Sequence, residues 1–209
     1  MRVLETKVYT FTELSDDAKE NARDWWRRYV FSDSNDWEFV YEDAANVAEQ
    51  FGLDLRTRRV NQKDGGYHYD PCIYFSGFSN QGDGACYEGN YEYMKGALKT
   101  VKSYAPRDTE LHKIVEQLQE IQRKNFYRVH ARTKYRGHYC HSGCMTVEVG
   151  RSDDQPVVDE DDVVQLLREF ADWIYEQLKC EYDYQCSNEV VDEMLIGNAY
   201  EFTEEGARA

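Results

Sequence analysis

Side chains able to carry positive charge occupy every second position from Arg128 to Arg136: Arg128, His130, Arg132, Lys134 and Arg136. In an extended strand alternate residues share a face, so this row points one way while Tyr127, Val129, Ala131, Thr133 and Tyr135 point the other. No Asp or Glu lies between Glu120 and Glu148, so neighbours in sequence leave the charge of the row standing. Such a row beside tyrosines suits a phosphate-bearing, nucleotide-like small molecule, held by charge-assisted hydrogen bonds and ring stacking. The plainer alternative is that Glu88 and Glu92, or the acidic C-terminal helix, lie over the row as a ladder of ion pairs.

Two turns carry the remaining chemistry. His138, Cys140, His141 and Cys144 place four potential zinc ligands in one segment, with His68 and Cys72 elsewhere. Zinc needs four groups converging as a tetrahedron, and structural sites draw pairs from two separate loops, so the expectation is no metal and no cofactor. A polar turn closing a hairpin fits the segment better. The Gly82-Asp83-Gly84 turn could present backbone N–H groups to an anion or Asp83 as an acid, but it lacks the Lys and following helix of a phosphate-binding loop. A metal- or His-dependent hydrolase using His138, His141 and Asp83 is the enzyme reading. No convergent acid, base and nucleophile set is visible to support it.

The acidic chemistry lies at the ends of the chain. The net charge is −15 over 209 residues, and residues 151–209 hold 17 acidic and 4 basic side chains. Asp159, Asp161 and Asp162 fall in the first turn expected of a helix whose apolar stripe is Val163, Leu166, Leu167, Phe170, Trp173, Ile174 and Leu178. That stripe must face a core, which leaves Glu169, Asp172 and Glu176 toward solvent or a partner. A surface of this sign repels nucleic acid and raises the encounter rate with a basic protein.

The elements that must position these groups follow from periodicity and caps. The segment Cys72–Tyr93 reads as two aromatic-rich strands around the turn Ser79–Gly84, and Phe126–Val149 reads as a second hairpin in the same sheet. Val3–Phe11 and Leu53–Val60 read as strands, with Lys63-Asp64-Gly65-Gly66 turning the second back on itself. Ser15 caps a helix with the stripe Ala18, Ala22, Trp25, Trp26 and Tyr29, and a second helix runs from Trp37 to Phe51. Met94, Ala97, Leu98, Val101 and Tyr104 repeat at helical spacing until Pro106, and Asp108 caps a helix with the stripe Leu111, Ile114, Val115, Leu118 and Ile121. Ser187 caps a last helix ending at Gly197, and Tyr200 and Phe202 suggest a final strand. Strands joined by turns and mixed with helices give an α+β class with a mostly antiparallel sheet, expected as a single domain over residues 1–209. No apolar run approaches the ~20 residues of a spanning helix, so the expectation is a cytoplasmic protein whose six cysteines stay thiols.

The strings Tyr74-Phe75-Ser76-Gly77-Phe78, Gln81-Gly82-Asp83-Gly84-Ala85-Cys86-Tyr87-Glu88-Gly89 and Arg136-Gly137-His138-Tyr139-Cys140-His141-Ser142-Gly143-Cys144 carry a resemblance. With Gln119–Tyr127 and the opening Phe11–Lys19, they are similar to a family of tailed-bacteriophage proteins whose members are commonly labelled antitoxins of toxin–antitoxin systems. The resemblance implies a protein acting in the host cytoplasm and brings no catalytic residue with it. Together with the charge layout it gives the expectation of a non-catalytic acidic protein that binds a basic host or defence component. Sequestration of a nucleotide-like molecule on the basic row is one alternative, and neutralisation of a toxin partner is another.

Overall fold

The computed structural model describes residues 7–30, 37–62 and 65–209. Three helix starts follow directly from short polar side chains that accept an otherwise unpaired first-turn N–H. Ser15 Oγ accepts from Ala18 N, Asp108 Oδ1 from Leu111 N and Ser187 Oγ from Val190 N. The elements in order are β1 (Tyr9–Thr10), α1 (Asp16–Trp25), α2 (Glu38–Glu49), β2 (Leu53–Leu55), β3 (Thr57–Asn61), β4 (Tyr67–Pro71) and β5 (Ile73–Phe75). There follow β6 (Ala85–Tyr87), β7 (Gly89–Glu92), α3 (Ala97–Tyr104), α4 (Thr109–Lys124), β8 (Val129–Tyr135), β9 (Met145–Arg151), α5 (Glu160–Gln185), α6 (Asn188–Gly197) and β10 (Glu201–Phe202). All strand pairs are antiparallel, and the class is α+β. Among the described residues no helix is long and apolar enough to cross a membrane.

The chain packs as two compact units, one of residues 1–36 with 180–209 and the other of residues 37–179. In the first, β1 pairs with β10, and Arg23 grips Asp192 of α6 through two parallel bonds of 2.7 Å. The expected strand Val3–Phe11 survives only as Tyr9–Thr10; its first residues lie outside the described ones, and Phe11 opens a tight turn closed by Glu13 on the Thr10 N–H. Tyr29, expected on the buried stripe, is exposed, because α1 loosens after Trp25 into a wider π turn that shifts the register of the residues beyond it.

The second unit holds the four-stranded sheet β2-β7-β8-β9. Leu53, Leu55, Tyr91, Val129, Ala131 and Thr133 form its buried face, and α2, α4 and α5 each bury an apolar stripe. Phe170 of α5 stacks on Trp173 and meets Phe51 and Tyr87 edge-on, while the Tyr87 hydroxyl donates to the carbonyl of Leu167 at 2.8 Å. Such a buried aromatic with a partner for its polar tip is a stable core element.

The two hairpins do not share one sheet as expected. Leu53–Val60 breaks at Arg56, the β4–β5 run breaks at Cys72, and the β6–β7 run breaks at Glu88. These three residues form a ring of backbone bonds: Arg56 N donates to Glu88 O at 2.9 Å, Glu88 N to Cys72 O at 3.0 Å and Cys72 N to Arg56 O at 2.6 Å. From this ring the ladders β2–β7, β3–β4 and β5–β6 diverge, so each long strand changes partner at one residue. β7 therefore joins β8 of the second hairpin, while β5–β6 stands as its own ladder. Lys63 and Asp64 of the expected turn lie outside the described residues. Met94, expected to open α3, precedes it, because Gly96 at φ 82° interrupts the run before Ala97.

Candidate partner-binding site

The long acidic helix α5 has its apolar stripe inward, so its outer face is fixed by geometry. Asp162, Glu169, Asp172 and Glu176 recur at intervals of seven, three and four residues and form one outward stripe. Asp161 and Asp162 are exposed at its start. Asp159, just before the helix at φ 61°, is half-buried and bound to Lys124 Nζ at 2.6 Å, so it belongs to the helix entry more than to the open stripe. Beside the stripe runs a groove of about 410 Å³ between α4 and α5, lined by Gln117, Glu120, Lys124, Asp162, Gln165 and Glu169. Its one lysine is the residue already held by Asp159.

Among the described residues, Asp161, Asp162, Glu169, Asp172 and Glu176 make no ion pair. Asp172 is exposed as a residue, yet its carboxyl group leans toward the turn that carries Ser142 and loses water there. That loss raises its pKa above the ordinary carboxylate value. A hydrogen bond from Ser142 works against the rise, and the like charges of Glu169 and Glu176 add to it.

Within β8 the alternation puts the basic side chains on one face, whereas Tyr127, expected on the other face, is exposed at φ 61° before the strand begins. Val129, Ala131 and Thr133 are buried, and Arg128, His130, Arg132 and Arg136 are exposed, with Lys134 half-buried. The acidic helix does not cover the row, since the partners come from β9 and the loop after it. Arg128 binds Asp153 at 2.8 Å and Lys134 binds Glu148 at 2.7 Å, and Glu148 is held below the usual carboxylate range chiefly by Lys134. Glu88, named as a possible cover, is taken by Arg56 at 2.7 Å, and Glu92 lies opposite His130 in the ladder. Arg132 and Arg136 have no ion pair or hydrogen bond among the described residues. Both line a concavity of about 530 Å³ on the open face of the sheet, together with Asp54, Arg56, Asn90 and Lys134.

The two turns meet. A Cβ on Gly84 would stand 2.7 Å from His141 Cβ and 2.9 Å from Cys140 O, and one on Gly82 would stand 2.8 Å from the Tyr139 ring. Glycine is required at 84 by this close approach, not by its backbone angle. Asp83 accepts from Ser79 N at 2.9 Å and Asn80 N at 2.7 Å, so it closes its own loop and is spent as a candidate acid. His138 is exposed against Tyr139. His141 Nε2 stands 3.3 Å from Cys144 Sγ, and Cys140 Sγ stands 3.4 Å from the Tyr135 hydroxyl. The structure adds Cys86, which no spacing in the sequence links to this turn: it is buried beside Cys140, and burial pushes its thiol pKa up. All six cysteines are free. The turns are thus a packed joint that carries Ser142 to Asp172.

No curated protein and no solved structure matches the chain. Residues 37–188 match a family described as a domain of unknown function, DUF8835, and the match begins at the residue that opens the second unit. It takes in the acidic stripe, the basic row and both turns, and it spans well over half of the sequence. The chain belongs to the DUF8835 family.

Proposed function

We propose that this protein acts by binding, with the outer stripe of α5 docking on the basic surface of a host or defence protein that it inhibits or sequesters. The observation that supports this reading is that Asp161, Asp162, Glu169, Asp172 and Glu176 make no ion pair among the described residues, whereas Arg128 and Lys134 of the basic row are held by Asp153 and Glu148. Like charges three and four residues apart destabilise a helix, so the stripe costs the free protein stability that a cationic partner returns. Similarity to tailed-bacteriophage proteins favours a partner from the host, and a toxin is one such partner. The test is capture of host proteins on the immobilised chain at low and at raised salt. The retained set should be basic and should fall away steeply as exposed charges are screened. Retention that is indifferent to salt contradicts the reading.

A second reading rests on Arg132 and Arg136, unpaired beside a concavity on the open sheet face. Two guanidinium forks at such a place suit a phosphate-bearing small molecule. Mass spectrometry of compounds released when the purified protein is denatured tests it, and a phosphorylated compound at one per chain would favour it over the acidic stripe.

A further inference from the structure

The ladder β3–β4 has two different faces. Its pairs Arg58↔Asp70 and Val60↔His68 alternate with Arg59↔Tyr69 and Asn61↔Tyr67, so His68 and Asp70, two residues apart on one strand, point the same way. Helix α2 packs against β4, and Glu38 is its first residue. The result is one imidazole and two carboxylates from two elements, with one ligand atom from each lying within 4.8 Å of the others. Two ligands of a single ion cannot stand farther apart than twice a bond of ~2.0–2.2 Å, so shared coordination asks these side chains to close by only a few tenths of an ångström. Among the described residues no other set of three His, Cys, Asp or Glu side chains comes this close. The thiols and imidazole at Cys86, Cys140, His141 and Cys144 do not.

A second observation concerns the ring of His68. Its Nε2 stands 2.8 Å from Asp70 Oδ1, while its Nδ1 is buried and has no hydrogen-bond partner. Nε2 is therefore the nitrogen that faces Asp70, and Nδ1, on the other side of the ring, points away from it. The cation next to Asp70 besides His68 is Arg58, whose Nη2 is 3.9 Å from Oδ2, too far for a hydrogen bond. A divalent cation among the three groups would bring positive charge to both carboxylates and take the Nε2 lone pair at one place.

We propose that Glu38, His68 and Asp70 bind a first-row divalent transition-metal ion of the zinc or cobalt kind. The imidazole favours such an ion over magnesium or calcium, which prefer all-oxygen sites. Three protein ligands leave further positions to water or to a small ligand, unlike a closed structural zinc site. The ion would tie the start of α2 to β4. It would not be needed for folding, because β4 is already paired with β3 along five residues. This departs from the expectation of no metal drawn from the 138–144 turn, and it is independent of the reading of α5.

The test is titration of the metal-free full chain with Co²⁺, followed by visible absorption, and with Zn²⁺ and Mg²⁺, followed by calorimetry and melting temperature. One Co²⁺ or Zn²⁺ per chain should bind, more tightly than Mg²⁺, and raise the melting temperature. His68→Gln should weaken binding at least tenfold. Glu38→Gln should weaken it as well. Unchanged affinity in both variants would overturn the proposal, and so would binding no tighter than that of Mg²⁺. A thiolate-to-cobalt charge-transfer band that disappears in Cys144→Ser would place the ion at the cysteine-rich turn instead and also overturn it.

Discussion

Replacing Asp172 by Asn should make the free protein more stable at neutral pH, although it removes a charged residue from a helix that starts with three acids. Asp172 has Glu169 three residues before it and Glu176 four after, and among the described residues none of the three makes an ion pair. Each such like-charge pair costs a helix about 0.2–0.5 kcal/mol, so removing two of them returns about 0.4–1 kcal/mol. For a chain of this size that is a rise of roughly 1–4 °C in melting temperature. The Ser142 contact need not be lost, since the Asn side-chain carbonyl can still accept a hydrogen bond. The sign of the pH dependence follows from the raised pKa of Asp172. The folded protein holds this proton more tightly than the unfolded chain, so wild-type stability falls as pH rises from the ordinary carboxylate range through the raised value. Asn has no such fall. Urea unfolding of both proteins from acid to neutral pH should show no advantage for Asn at the acid end and a growing one above it, shrinking again in salt. An Asn variant less stable than wild type at neutral pH would refute the reasoning, because the acids of the stripe would then contribute to the fold rather than cost it.

The joints that position the two surfaces give further expectations. Gln122 is 1% exposed and grips both backbone groups of Val129, its Nε2 donating to the carbonyl at 2.8 Å and its Oε1 accepting from the N–H at 3.2 Å. Gln122→Leu keeps the volume and strands those two groups, so urea unfolding should show a loss of about 2–4 kcal/mol; a loss under about 0.5 kcal/mol would mean that water replaces the amide. Gly84→Ala should cost about 1–3 kcal/mol by forcing the backbone at Cys140–His141 away, whereas Gly65→Ala, with open space around it, should cost only the strain of its φ of 90°. Tyr87→Phe removes one buried bond to Leu167 and should lower stability by about 1 kcal/mol, and an unchanged midpoint would show that bond to be idle.

Local pattern was the legible part of this fold. Alternation over 129–133 set which side chains of β8 are buried, and the stripes of α4 and α5 could be read from helical spacing. What pairs with what was not legible. The exchange of partners at Arg56, Cys72 and Glu88 joins positions 16 and 32 residues apart in sequence, and nothing in a single strand marks where its ladder ends. Gly84 reads as a turn residue, but its requirement comes from a backbone more than fifty positions away. Gln122 and Asn125 look like ordinary polar helix residues, although Gln122 falls four residues after Leu118, on the apolar stripe, and that spacing was the available sign. His68 and Asp70 are two residues apart in plain view. Glu38 reaches them only through the packing of α2 on β4, which no spacing encodes.

The claim that the outer face of α5 binds a basic partner is tested most directly by charge reversal. Wild-type chain, a variant with Lys at 161, 162, 169 and 172, and a variant with Ala at 128, 132 and 136 would be immobilised after circular dichroism shows all three folded. Proteins retained from host lysate would then be quantified. Whatever the wild type retains should be lost from the Lys variant and kept by the Ala variant. Retention that survives in the Lys variant and fails in the Ala variant would contradict the claim and move the binding surface to the open face of the sheet.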